Sequence, residues 1–376
     1  MIMKNKIIIR ICMIFGIIIA FSLSAGAEEI PEYKDFIDSL PAEVTDKLPQ
    51  GVTDGDAEKL AEGVSEMSGV RFLLSELSDS LLSGIKSALP LVCSICGLLM
   101  ISALISILSQ SFSEGTSSGI KLISKLCVFS AVASGMLSSL DAVSNYFNSL
   151  CGLAAAYIPL SAALYSMGGN LQTAVVSSSS LGITLAVCEF IFSYTVFPVF
   201  CFCMCINICS AFEPSRALSQ ISEVVKKNYT LLLSLIMAVL TVSVSSQTFI
   251  SARADNFAMR GAKFILGSFI PMFGGSVSST LGNVATSVEL MRGAVGIGGI
   301  IIILLMLLPM AVKLCIMRAL YSLCSVFAGI IGCDEERGLL LEISSLYGYL
   351  FGVSAICSSS FIMSFGILAR CASAVG

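Results

Sequence analysis

An ionisable side chain inside an apolar run costs about 2.5 to 3.5 kcal/mol by insertion scales, so embedded charges are where chemistry is first sought. Glu189 lies near the middle of the apolar stretch from Ala174 to Phe212. If that stretch is two spans turning near Ser193 to Pro198, the Glu189 carboxylate sits at the membrane surface and is simply solvated. Glu289 and Arg292 are three apart on an expected helix, where each lowers the cost of burying the other. Lys313, after Pro309, is placed to snorkel to the cytoplasmic interface. The chain has no histidine, which excludes a Ser-His-Asp triad, an HExxH zinc site and imidazole acid-base work. No GxxxxGK[ST] string occurs, so any ATP has to be hydrolysed by a partner. The expectation is a protein that is not an enzyme, with no catalytic, cofactor-binding or metal residues.

Fifteen cysteines could suggest metal or redox chemistry, with Cys93-x-x-Cys96 and the run Cys201, Cys203, Cys205, Cys209 as the clusters to weigh. On a helix Cys201, Cys205 and Cys209 share a stripe while Cys203 points away, so the run alone cannot make a tetrahedron of sulfurs. Packing as small hydrophobes is the simpler role. Gly293, Gly296, Gly298 and Gly299 do not stand between a strand and a helix, so close helix packing explains them better than a dinucleotide loop. Pro271 with Gly274 and Gly275 predicts a structural break, because proline ends a helix and the glycines allow tight turns.

The elements that must position these groups are membrane helices. Hydrophobic residues make up 56% of the chain and charged ones 12%, far from the balance of a soluble domain. From about residue 88 the apolar runs reach the length that crosses a bilayer, and none alternates as a barrel strand would. Lys4, Lys6 and Arg10 precede an apolar stretch and Ala25-Gly26-Ala27, the pattern of a signal peptide over 1–27. The rival reading is an uncleaved first span. Residues 28–87 carry 14 acidic and 5 basic side chains and form an acidic, exported segment; the remainder is slightly basic, and nothing points to nucleic acid. Within that segment Thr53-x-x-Asp56 can cap a helix whose apolar stripe runs through Leu60, Val64, Met67, Val70, Leu74, Leu77, Leu81 and Ile85. Such a helix lies on a partner, folds back on the bundle, or serves as a solvated linker.

The fold class is therefore an all-α, polytopic membrane domain over 88–376, with about nine spans: 88–108, 126–145, 149–167, 174–192, 195–212, 231–250, 295–316, 318–333 and 347–369. An exterior N-terminus then leaves the C-terminus in the cytoplasm. Lys121, Lys125, Arg216, Lys226, Lys227 and Arg318 fall inside, as the positive-inside rule prefers, while Arg253, Arg260, Lys263 and Arg292 fall outside against it. Tyr157-Ile158-Pro159-Leu160 with Gly168-Gly169 is echoed by Phe269-Ile270-Pro271-Met272 with Gly274-Gly275. This relates 126–212 to 231–316 as a duplicated pair, against the rival of chance matching in apolar sequence. The repeat makes 257–293 broken or re-entrant helices.

The string from Gly261 to Asn283, GAKFILGSFIPMFGGSVSSTLGN, followed by Arg292-Gly293-Ala294-Val295-Gly296, resembles the stage III sporulation protein AE family. The order of parts agrees along nearly the whole chain. The resemblance implies a multi-pass subunit of the envelope-spanning channel or secretion complex joining mother cell and forespore, in the mother-cell membrane. It also implies partners that include an ATPase and ring-forming subunits, and no reaction chemistry of its own. The first Ile-Pro element departs from the pattern, since eight residues separate Pro159 from Gly168. A stand-alone permease using Glu189 or the Glu289 and Arg292 pair is the alternative, and a scaffold without a conduit is a third.

Overall fold

A computed structural model describes residues 31–38, 40–41, 45, 70–109, 114–212, 216–269 and 274–373, with backbone alone at 31–32, 70, 73, 109, 114–118, 120–122, 211–212, 216–217, 256, 258–269, 274–290, 292, 335 and 368–373. The signal sequence, the Thr53 cap and Pro271 lie outside the described residues. A short helix, α1 (Pro31–Asp38), precedes the long ones. These are α2 (Val70–Ser109), α3 (Glu114–Met167), α4 (Leu171–Ile191), α5 (Phe197–Phe212), α6 (Arg216–Phe269), α7 (Gly274–Ile331) and α8 (Asp334–Ser373). A π-turn, Phe192–Val196, joins α4 to α5 in one rod. The described residues thus hold six rods long and apolar enough to cross a membrane, and no strand.

Three pairs of the nine predicted spans are halves of single helices. The spans 126–145 and 149–167 are both α3, those at 174–192 and 195–212 are the α4–α5 rod, and 295–316 and 318–333 share α7. Nothing between the members of a pair breaks a helix: Tyr146 and Phe147 continue α3, and Met317 continues α7. Within the segment 257–293, predicted as broken or re-entrant, α6 runs to Phe269 and α7 opens at Gly274, and the residues between them lie outside the described ones. From Val70 onward the predicted amphipathic helix likewise runs without a break into the first span as α2, through Pro90. Its stripe residues Leu74, Leu81 and Ile85 are exposed on the bundle's outer side.

Proline is absorbed in the same way. Pro159 and Pro309 lie inside α3 and α7 without ending them. Near Pro198 the chain loosens to the π-turn, which relieves the clash of the ring with the preceding turn; the Thr195 hydroxyl donates to the Ile191 carbonyl at 2.6 Å within it. Among the described residues, the two reversals between rods are glycine caps. Gly169 has φ +77° and Gly332 φ +85°, and the following N–H groups of Asn170 and Cys333 reach back to the Tyr165 and Ala328 carbonyls, each at 2.9 Å. Both are Schellman turns, which need a residue in the left-handed region.

The antiparallel α7–α8 pair is the centre of the bundle. Tyr321 and Tyr347 stack across it with centroids 5.3 Å apart, and Tyr157 of α3 stacks on Phe365 at 4.0 Å. Gly299 admits Phe365, whose ring would stand 2.8 Å from an added Cβ; Gly84 of α2 admits Ile316 in the same way, at 2.6 Å. In lipid, close approach through small residues supplies the packing that the hydrophobic effect cannot. The helix α1 docks Tyr33, Phe36 and Ile37 into this core, with Phe36 edge-on to Tyr157 at 6.1 Å.

Cross-helix contacts fix the heights: Thr241 meets Ser360, Tyr146 meets Ser358 and Ser180 meets Gln247. At this register the stretches 142–167, 171–188, 228–252, 293–312 and 343–369, none with Asp, Glu, Lys or Arg, overlap in one belt. The belt is about 20 residues deep, or about 30 Å, the thickness of a hydrocarbon core. Helix α2 is out of step, because Ser102 donates to Glu336 at 2.6 Å beside the α7–α8 turn and sets its uncharged stretch 87–109 above the belt.

The Asp255 carboxylate of α6 caps α4, accepting from the N–H groups of Gln172 at 3.2 Å and Thr173 at 2.7 Å, and it is buried. Replacing it by alanine should cost about 1 to 2 kcal/mol, and by asparagine less, read as melting temperature in detergent. Alkaline phosphatase fusions after residues 170 and 215 should report opposite sides of the membrane, since one rod separates them; the nine-span layout puts both on one side.

Candidate functional site

Charges crowd the rim of the belt nearest the α7–α8 turn, where α6, α7 and α8 meet. Lys226 of α6 is buried and donates to the Ser345 hydroxyl at 2.7 Å, with its ammonium 3.7 Å from Glu342 of α8. Ser219, two turns earlier on α6, donates to the same carboxylate. Lys226 and Ser219 are seven apart, so α6 presents both on the side that faces α8. A charge this deep persists only when paired and hydrogen-bonded, and here both conditions are met.

Beside the pair opens a groove of about 1040 Å³ between the three helices. Lys227 and Glu223 line it from α6, Arg318 from α7, and Tyr349 with Ser345 from α8. Arg318 lies over Gly348, where an added Cβ would come within 3.0 Å of its Nη1, so the missing side chain makes the guanidinium's seat. Tyr349 is 5% exposed, and its hydroxyl has no hydrogen-bond partner. The groove offers cations and hydroxyl donors, with one carboxylate opposing them. That composition binds anions and lacks a nucleophile-base pair.

The model of the stage III sporulation protein AE family matches residues 57–372, which is most of the chain and takes in α2 to α8. The chain belongs to the stage III sporulation protein AE family. It is 23% identical over 236 residues to stage III sporulation protein AE of Bacillus subtilis strain 168, a match covering 62% of this chain and 59% of that relative. No solved structure matches it.

Seen as a member of this family, the chain scatters the residues singled out in its sequence. Glu189 stands at the middle of the α4–α5 rod on an exposed face; the rod does not turn at 193–198 and so does not carry Glu189 to its end. Pro159 is exposed on α3, away from any break. Gly274 and Gly275 form the first turn of α7, and Glu289 and Arg292 follow on the same helix three residues apart. Gly296 is buried while Gly293 faces open space, so Gly299, against Phe365, is the glycine that close packing needs. Cys203 is buried with its thiol 3.9 Å from the Ser222 carbonyl, whereas Cys205 and Cys209 are exposed, so the cysteine run does not converge.

Sequence reasoning missed the Lys226–Glu342 pair and the groove. Lys226 and Arg318 read from sequence only as cytoplasmic charge, because the partners of Lys226 lie more than a hundred residues away and Arg318 meets the groove only through the packing of α7 on α8. The signal that could have found them is the charge boundary itself, as Lys227, Lys313 and Glu342 each close an uncharged stretch. At the nearby turn Cys333 donates to the Leu99 carbonyl at 3.9 Å; burial first, then the Glu336 carboxylate, pushes its thiol above the usual range and keeps it protonated.

Truncating one member of the pair leaves the other buried without compensation. Glu342→Gln and Lys226→Met should each destabilise the protein by about 2 to 3 kcal/mol, and the double variant should recover most of that loss. Melting in detergent across the four-protein cycle measures it.

Proposed function

We propose that this protein is a non-enzymatic, multi-pass subunit of the channel or secretion complex that joins mother cell and forespore during endospore formation. Family membership over residues 57–372 carries this reading, together with six rods of membrane length. The protein sits in the mother-cell membrane facing the forespore, with its mature N-terminus outside the cytoplasm. An even number of crossings then returns the C-terminus to that same exterior side, where the acidic segment lies. Its partners are other membrane subunits, ring-forming proteins in the intermembrane space and an ATPase that supplies the energy this chain has no motif to harvest.

The bundle suits a structural subunit. Its interior is filled with aromatic and small residues, and its polar contacts lock helices together: Ser139 with Tyr347, Tyr146 with Ser358, and Thr195 with Tyr229. Each hydroxyl pair satisfies groups that hydrocarbon would leave unsolvated. The permease reading draws no support from Glu189, which faces away from the bundle interior.

Deleting the gene in the sporulating host should abolish mature spores, and the wild-type chain should restore them. Pull-down of the tagged chain should recover the partner membrane subunits, and charge reversals along the acidic face of residues 54–79 should weaken that recovery. The purified chain alone should move no solute into liposomes. Autonomous transport lost in Glu289→Gln would establish the permease instead.

A further inference from the structure

We infer that the groove between α6, α7 and α8 is an anion site that takes a phosphate group, presented by an acidic phospholipid headgroup or by a free phosphorylated solute. Three observations meet there. Lys226 is committed to Glu342 and Ser345, but among the described residues neither Lys227 nor Arg318 has a carboxylate within ion-pair distance, and both are exposed to the groove. Ser322 of α7 and Ser345 of α8 add hydroxyl side chains to the same lining. Gly348 holds the space in which the Arg318 guanidinium lies flat.

Phosphate is the group that fits these donors together. Its oxygens accept from an arginine fork, an ammonium and a serine hydroxyl at once, from helices on two sides. A lone carboxylate would satisfy only part of the set and leave most of a groove of about 1040 Å³ unused. The height supports this chemistry as well, since Lys227 and Arg318 stand just beyond the uncharged stretches 228–252 and 293–312, where headgroups meet the hydrocarbon. Basic pockets between membrane helices at that depth hold anionic headgroups. Glu223, in the same lining, opposes the ligand and sets a limit on affinity.

The test uses the full chain in a neutral detergent, titrated separately with phosphatidylglycerol, phosphatidylcholine and inorganic phosphate, with thermal unfolding and native mass spectrometry as readouts. Phosphatidylglycerol or phosphate should stabilise the protein and phosphatidylcholine should not. Lys227→Gln and Arg318→Gln should each weaken binding about fivefold, since a cation near a charged surface contributes about that factor. Glu223→Gln should strengthen it by a similar factor, and Arg253→Gln, at the far end of α6, should leave it unchanged. A response to phosphatidylglycerol without one to inorganic phosphate assigns a headgroup; the reverse assigns a soluble ligand. Equal stabilisation by phosphatidylcholine, or wild-type affinity in both Lys227→Gln and Arg318→Gln, overturns the site. Should Arg318→Gln fail to fold, the opposed shifts of Lys227→Gln and Glu223→Gln carry the test.

Discussion

A polypeptide surrounded by hydrocarbon has no water with which to repair a broken helix, and this constraint accounts for most of what the chain does. Every interruption leaves N–H and C=O groups unpaid at several kcal/mol each, so the backbone prefers to continue. Four prolines are accommodated inside rods, three within α-helices and one just after a π-turn. Hydroxyls that would favour caps and turns in water instead bond back to their own helix, as Thr241 does to Met237 and Ser364 to Ser360. The two reversals among the described residues occur where a left-handed glycine recovers the last carbonyls, at Gly169 and Gly332.

The same constraint explains what could be read in advance. Composition and run length identified helices in lipid, and the string from Gly261 to Asn283 identified the family. The number of rods was misread because hydropathy reports where a chain is apolar, whereas a turn needs a backbone solution. Gly168-Gly169 stands out in the sequence for its echo of Gly274-Gly275 rather than as a cap, and nothing in the sequence sets Gly332 apart. Intramembrane charge, as the mark of a site, points in the sequence to Glu189. That residue proves to be outward-facing, while the charges that meet are at the rim and come from three consecutive helices, with Lys226 and Glu342 more than a hundred residues apart. No spacing rule links Lys226 to Glu342, and only the register of α6 against α8 does.

The rim also shows two opposite uses of charge. Lys226 and Glu342 are buried, hydrogen-bonded and matched, and hold α6 to α8. Lys227, one residue further round the helix, faces the groove together with Arg318 and has no such commitment. A rotation of 100° along α6 thus divides structural from available charge. Helix α2 adds a different asymmetry. Its apolar and polar stretches are displaced by about half a helix relative to the other rods, so the surface it contributes is uneven with depth.

The Asp255 cap carries a mechanical meaning. The free amides at the start of α4 are gripped by a carboxylate from a neighbouring rod, so the tip of the α3–α4 hairpin is tied to α6 near one end of the belt. Sliding α6 by a single residue would carry the acid about 1.5 Å along its axis and strip the amides of their acceptor. The cap therefore sets the register of α6 against the α3–α4 hairpin, and a shift of either rod along its axis has to give up both hydrogen bonds.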